Sequence, residues 1–143
     1  MKKSLLVLLL IIAIASLGLA ACGQKPAGGG ESGLPEPPAE YAAKTNPFKG
    51  DAAAASAGKA DYEAYCQSCH GPSGQGDGPA GASLDPKPGK IAEVSKVASD
   101  GYLYWRLAEG GMMAPFNSSM PAWKDVLSED QIWQVITYVQ TFK

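Results

Sequence analysis

The chain has 143 residues, of which 45% are hydrophobic and 18% charged, and carries a formal net charge of −2 at pH 7. That length holds one small domain with appendages. Without a basic stripe, the sequence excludes nucleic acid as a natural partner.

Residues 1–21 read as an export signal. Lys2 and Lys3 form a positive n-region, and the apolar run from Leu5 to Leu19 is broken only by Ser16 and Gly18. Its end, Leu19-Ala20-Ala21-Cys22, resembles the lipobox of bacterial lipoprotein signals, in which the cysteine is acylated and becomes the mature N-terminus. The resemblance implies a lipid on Cys22. A retained signal anchor is the alternative, because the run approaches the ~18 to 20 residues of a spanning helix. Either way, the following domain sits on the extracytoplasmic or periplasmic side of the cell membrane, tethered to it. Loss of Lys2 and Lys3 leaves ten basic against fourteen acidic side chains, near −4, which suits a basic or neutral partner surface.

From residue 22 to 50 the composition turns to Gly, Pro, Ala and Glu, as in Lys25-Pro26-Ala27-Gly28-Gly29-Gly30 and Leu34-Pro35-Glu36-Pro37-Pro38. No helical or strand period survives there, so the segment is expected to be a disordered, solvated linker with a reach of several tens of Å. Tyr41 and Phe48 are apolar handles that would also suit contact with a partner subunit.

The folded domain is expected over residues 51–143. Asp51 is a good N-cap, and Ala52 to Tyr65 predict a helix. Within it Gly58 costs about 1 kcal/mol against alanine, so it asks for a packing reason such as the close approach of another helix. The helix leads into Cys66-Gln67-Ser68-Cys69-His70, the spacing of c-type haem attachment. On one helical turn the two thiols face the same side, each able to add to a haem vinyl group, while His70 offers a ring nitrogen to the iron. A zinc site needs four ligands, and His70 is the single histidine. A redox dithiol would want a βαβ pattern that is not visible. With His70 on one face of the iron, the sixth ligand must be Met, Lys, an external molecule or nothing.

Gly71 to Lys90 is rich in Gly and Pro, too long for a structureless loop in a compact domain unless a large apolar cofactor supplies core. Lys90 to Val97 predict a short helix. A longer one is expected from Asp100, as N-cap, to the Gly110-Gly111 stop. No strand is evident. Met120-Pro121 places a thioether beside a rigid proline, which makes Met120 the candidate sixth ligand, with Met112 or Met113 as fallback; such ligation raises the reduction potential. Ser128-Glu129-Asp130-Gln131 matches a capping box, and Ile132, Val135, Ile136 and Val139 then follow at helical spacing as a core-facing stripe, with Phe142 beyond.

From Gly58 to Phe142 the chain resembles a class I monohaem cytochrome c: Gly58 and Tyr62 before Cys-x-x-Cys-His, Gly78-Pro79, the Met-Pro loop, and a last helix carrying Trp133 and Tyr138. The resemblance implies an all-α cytochrome c fold, three to five helices wrapped around one covalent haem c. It implies Gly58 packed on Tyr138, the Pro79 carbonyl accepting the Nδ1 proton of His70, and Met120 as axial ligand. Leu84 and Phe116 would line the haem edge. Trp105, Arg106 and Trp123 are candidates for holding the propionates, with ordinary core or surface roles equally open. Gly76 to Pro79 and Leu84 to Pro88 also resemble cytochrome domains attached to bacterial respiratory complexes, including the lipid-anchored monohaem subunit of alternative complex III.

These features together point to a one-electron carrier rather than an enzyme. Its expected partners are a quinol-oxidising complex and a terminal oxidase or photosynthetic reaction centre. Two alternatives stay open: a fixed monohaem subunit of a quinol-oxidising complex, and a haem enzyme or gas sensor with an open sixth site.

Overall fold

The computed structural model of the protein describes residues 33–143; the expected signal and Cys22 lie outside the described residues. Six α-helices follow in order: α1 Ala39–Ala42, α2 Ala52–Tyr65, α3 Gln67–His70, α4 Ile91–Val97, α5 Asp100–Glu109 and α6 Glu129–Val139, with a 3₁₀ turn at Pro79–Gly81 between α3 and α4. No strand occurs among the described residues, so the all-α expectation holds. Five of the six, α2 to α6, fall within residues 51–143, matching the expected three to five; α1 is a single turn in the segment before them. No helix among the described residues is long and apolar enough to cross a membrane.

Helix α2 starts as its sequence predicts. The Asp51 carboxylate accepts from the Ala53 and Ala54 amides at 2.7 and 2.9 Å, satisfying two of the donors a helix start leaves free. Helix α6 carries the full capping box, Ser128 and Gln131 each bonding the other's backbone. Its stripe of Ile132, Val135, Ile136 and Val139 is buried. Helix α5 begins one residue away from the expectation: Ser99, not Asp100, is the cap, its hydroxyl accepting from the Tyr102 amide at 3.1 Å. The Asp100 side chain is thereby left free for another contact.

Helices α2 and α6 make the most extensive helix–helix contact among the described residues. A Cβ on Gly58 would stand 1.9 Å from the Gln134 carbonyl oxygen and 2.6 Å from the Val135 nitrogen, so only glycine admits this approach. The costly glycine thus has the predicted cause, the close approach of another helix. The atoms nearest Gly58 are α6 backbone, whereas the Tyr138 ring packs edge-on against Tyr62 and Phe142 at 5.4 and 5.1 Å.

The expected linker is replaced, from Leu34 to Gly50, by a strap lying on the domain. Leu34, Tyr41 and Phe48 pack against the core, and the Tyr41 hydroxyl donates to Glu109. Asn46 is buried; its amide donates to Asp100 at 3.1 Å and its side chain to Thr137 at 2.9 Å. Composition pointed to solvation, yet two aromatics and one asparagine suffice to anchor the segment, because each finds a partner on α5 or α6. The run after His70 is likewise stitched down: Gly76 donates to the His70 carbonyl at 2.9 Å, Gly78 to that of Cys69 at 3.2 Å, and Ala92 to that of Gly74 at 3.1 Å.

Candidate functional site

An apolar cavity of about 340 Å³ opens between α3, α5, α6 and the two loops that precede α4 and α6, a size typical of small-molecule and cofactor sites. Cys66, Cys69 and His70 form one part of its wall. Helix α2 delivers them: Cys66 ends α2 and caps α3, and the next four residues complete one turn ending at His70. Burial pushes the Cys66 thiol up to about 12. That is the opposite of a reactive redox thiolate. No group of three or more His, Cys, Asp or Glu side chains among the described residues could hold a metal ion.

His70 is oriented by its backbone partner. Nδ1 lies 3.1 Å from the Gly89 carbonyl oxygen, so the ring donates there and Nε2 is left as the free lone pair. Burial holds its pKa below the usual histidine value, with Arg106 adding to the effect against the Gly89 bond. The ring is therefore neutral, the form that ligates iron. The expectation for Pro79 fails here. Pro79 opens the 3₁₀ turn, and its carbonyl accepts from Ala82 at 3.4 Å instead; it does not line the cavity.

Among the described methionines, Met120 alone lines the cavity; Met113 does not, and Met112 is 71% exposed. The loop carrying Met120 is pinned through its backbone. Gly111 donates to the Met120 carbonyl at 2.9 Å, and Trp123 donates to the carbonyls of Leu107 and Ala108 at 3.2 and 3.1 Å. Gly110, at φ +71°, sits where a Cβ would come 2.5 Å from Pro121 backbone. The glycine pair that ends α5 thus also seats the Met-Pro loop, a role that its place in the sequence did not reveal.

Leu84, Phe116, Arg106 and Trp123 line the cavity. The Arg106 guanidinium lies over the Phe116 ring, 3.4 Å from its centroid, and donates to the Gly110 carbonyl. No carboxylate among the described residues forms a salt bridge with it. Trp105 is different. It is buried outside the cavity wall, edge-on to Phe116 at 5.4 Å and to Tyr102 at 5.9 Å, so it backs the wall instead of touching a ligand.

Sequence reasoning passed over two tyrosines of the wall. Tyr62 is fully buried, and its hydroxyl donates to the Gly71 carbonyl at 2.7 Å, just after His70. The Tyr65 ring packs at a tilt against that of Trp123, with centroids 5.3 Å apart. Their signal was the spacing: both lie within one helical turn of Cys66.

The donor set fits a covalently held haem: two sulfurs and a neutral imidazole on one short helix, a thioether on another wall, apolar walls between, and a cation with no carboxylate of its own. Residues 53–139 match the family described as "Cytochrome C oxidase, cbb3-type, subunit III". The chain belongs to that family of c-type cytochrome domains. As a cytochrome c domain it binds c-type haem and transfers electrons. A solved structure, the Kuenenia stuttgartiensis reducing HAO-like protein complex Kustc0457/Kustc0458, contains a similar chain at 28% identity and a TM-score of 0.53, the match covering 65% of this cytochrome and 45% of that chain. The cytochrome thus spans less than half the length of that neighbour. No curated protein matches it at a significant level.

Proposed function

We propose that this cytochrome is a membrane-tethered one-electron carrier of a respiratory or photosynthetic chain, with His70 and Met120 as its axial ligands and Cys66 and Cys69 as its thioether sulfurs. The observation that carries the reading is that Met120 shares one cavity with Cys66, Cys69 and His70 while Met112 and Met113 do not. The haem, when bound, supplies a reversible Fe(III)/Fe(II) couple. The chain's own residues do the rest. Gly89 holds the His70 ring in one tautomer, the Gly110-Gly111 pair holds the Met120 loop, and the apolar walls exclude water, which with the thioether favours the reduced, less charged iron. Arg106 supplies the counter-charge for a propionate.

Its partners are then a quinol-oxidising complex as donor and a terminal oxidase or photosynthetic reaction centre as acceptor, and a lipid on Cys22 keeps it at the outer face of the cell membrane. A second reading, a fixed subunit of a larger oxidoreductase such as alternative complex III, draws support from the similar solved structure, which is of a protein complex. One purification tests both. The visible spectrum of the ferric protein should be low-spin with the weak far-red band of methionine ligation; a high-spin spectrum with fast CO or cyanide binding would instead mean an open sixth site, as in a haem enzyme or gas sensor. Release of the pigment by acid-acetone would sink the covalent attachment. After detergent extraction, co-elution with a large complex on size exclusion supports the subunit, and a small lone species supports the carrier.

A further inference from the structure

We infer that residues 34–48 are a tether strap, which shortens the leash between the membrane and the haem domain and leaves the cavity uncovered. Two observations carry this. First, the strap is fastened at several points along its length. Leu34 packs on the core at its start, Tyr41 bonds Glu109, Lys44 lies over the Tyr104 ring at 4.6 Å and pairs with Glu129 at 3.0 Å, and the buried Asn46 is bonded to Asp100 and Thr137. A Cβ on Gly101 would stand 2.2 Å from the Tyr41 carbonyl oxygen, so the strap lies directly on α5. Second, no strap residue lines the cavity. On α5 the strap holds Asp100, Gly101, Tyr104 and Glu109, while Tyr102, Leu103, Arg106 and Leu107 line the cavity. At 100° per residue these sets occupy opposite sides of the helix.

The consequence is one of length. The inference rests on the proposed lipid at Cys22. Without the strap, residues 23–50 would be leash, twenty-eight residues able to span at most about 100 Å. With the strap fastened, only residues 23–33 remain, eleven residues and at most about 40 Å. A domain on the short leash works close to the bilayer with its cavity uncovered, instead of ranging through the space outside the membrane.

The test uses the full lipidated holoprotein bound to phosphatidylcholine vesicles that carry a headgroup fluorophore, with energy transfer to the haem as the ruler and hydrogen exchange as the report on the strap. Wild type should show slow exchange at the amides of residues 41–48. Tyr41→Ala with Asn46→Ala should free those amides and lower the energy transfer roughly twofold, as the leash grows. A 17-residue Gly/Ser insertion after Gly30 should lower it similarly with the strap still protected, so the ruler stands even if the double variant misfolds. Free-peptide exchange rates at 41–48 in wild type, or unchanged transfer in the insertion variant, would overturn the strap. A mature chain without lipid at Cys22 that fails to bind vesicles would overturn the anchor, and the leash with it, and mass spectrometry tells that failure from the others.

Discussion

Gly58 rests against the backbone of Gln134, so close that the smallest side chain would fall 1.9 Å from the Gln134 carbonyl oxygen. Alanine would gain about 1 kcal/mol of helix propensity, but it would have to push α2 and α6 apart, and overpacking of this kind costs ~1–3 kcal/mol, occasionally more. Because the obstacle is helix backbone, no side chain can yield. Gly58→Ala should destabilise the holoprotein by about 2 kcal/mol net, read from guanidinium unfolding followed at the Soret band. An unchanged midpoint would mean that the helices do not meet here.

Met120→Ala should remove the far-red methionine band and admit CO to the iron. It should also lower the reduction potential by on the order of 100 mV, part of the ~0.8 V range that axial ligands span. Met112→Ala should change none of these, since Met112 stands in solvent. Potentiometry and CO difference spectra on both variants decide whether the cavity names the ligand correctly.

Arg106 is one of two cations in the cavity wall, with Lys87. Burial lowers its pKa, yet a guanidinium remains charged at any ordinary pH. Its positive charge favours the electron-rich state of a nearby iron, so Arg106→Gln should lower the potential by on the order of tens of mV. Arg106→Lys should keep most of that charge effect while losing the planar stacking on Phe116. A potential that does not move in the glutamine variant would place this residue away from the haem.

Asn46 fastens the strap from a buried position. Its side chain donates to Thr137 and accepts from the Phe48 amide at 2.9 Å each. Asn46→Ala leaves those partners short of a bond and should cost about 1–3 kcal/mol, visible as faster exchange across residues 41–48. The haem spectrum should stay as it is, because the strap does not touch the cavity.

Acid should loosen the same strap. Burial raises the Asp100 pKa, but the Asn46 amide, the Gln140 side chain and Lys49 outweigh it, and the group ends below the usual aspartate value. Hydrogen bonds from Lys124 and Tyr41 hold Glu109 below the usual glutamate value. A carboxylate depressed on folding contributes stability that is complete above its unfolded pKa and is lost as pH falls through the folded one. Strap protection should therefore hold from neutral pH to about pH 4 and decline below it. On the alkaline side Tyr41, raised to about 12 chiefly by its bond to Glu109, keeps its proton through mildly basic conditions. Exchange rates measured across this range give the check; a strap that loosens first near neutrality would contradict it.

What the sequence determined by itself is what depends on neighbours along the chain. Cys66, Cys69 and His70 are a local motif, Asp51 and Ser128 are local caps, and the α6 stripe is a local period, so fold class and cofactor were legible from them. Gly58 announced a close approach but not its partner, because helical spacing fixes which face is apolar and not which backbone it will meet. The His70 acceptor was misread for a related reason. Pro79 and Gly89 lie nine and nineteen residues downstream, and only the 3₁₀ turn, which commits the Pro79 carbonyl to Ala82, leaves the position to Gly89. The strap was hidden most deeply: a Gly- and Pro-rich composition describes how a segment behaves alone, whereas Tyr41 and Asn46 act through partners 54 to 91 residues away. Contacts at that separation exist only once the helices have assembled, so tertiary structure alone decided where the strap lies.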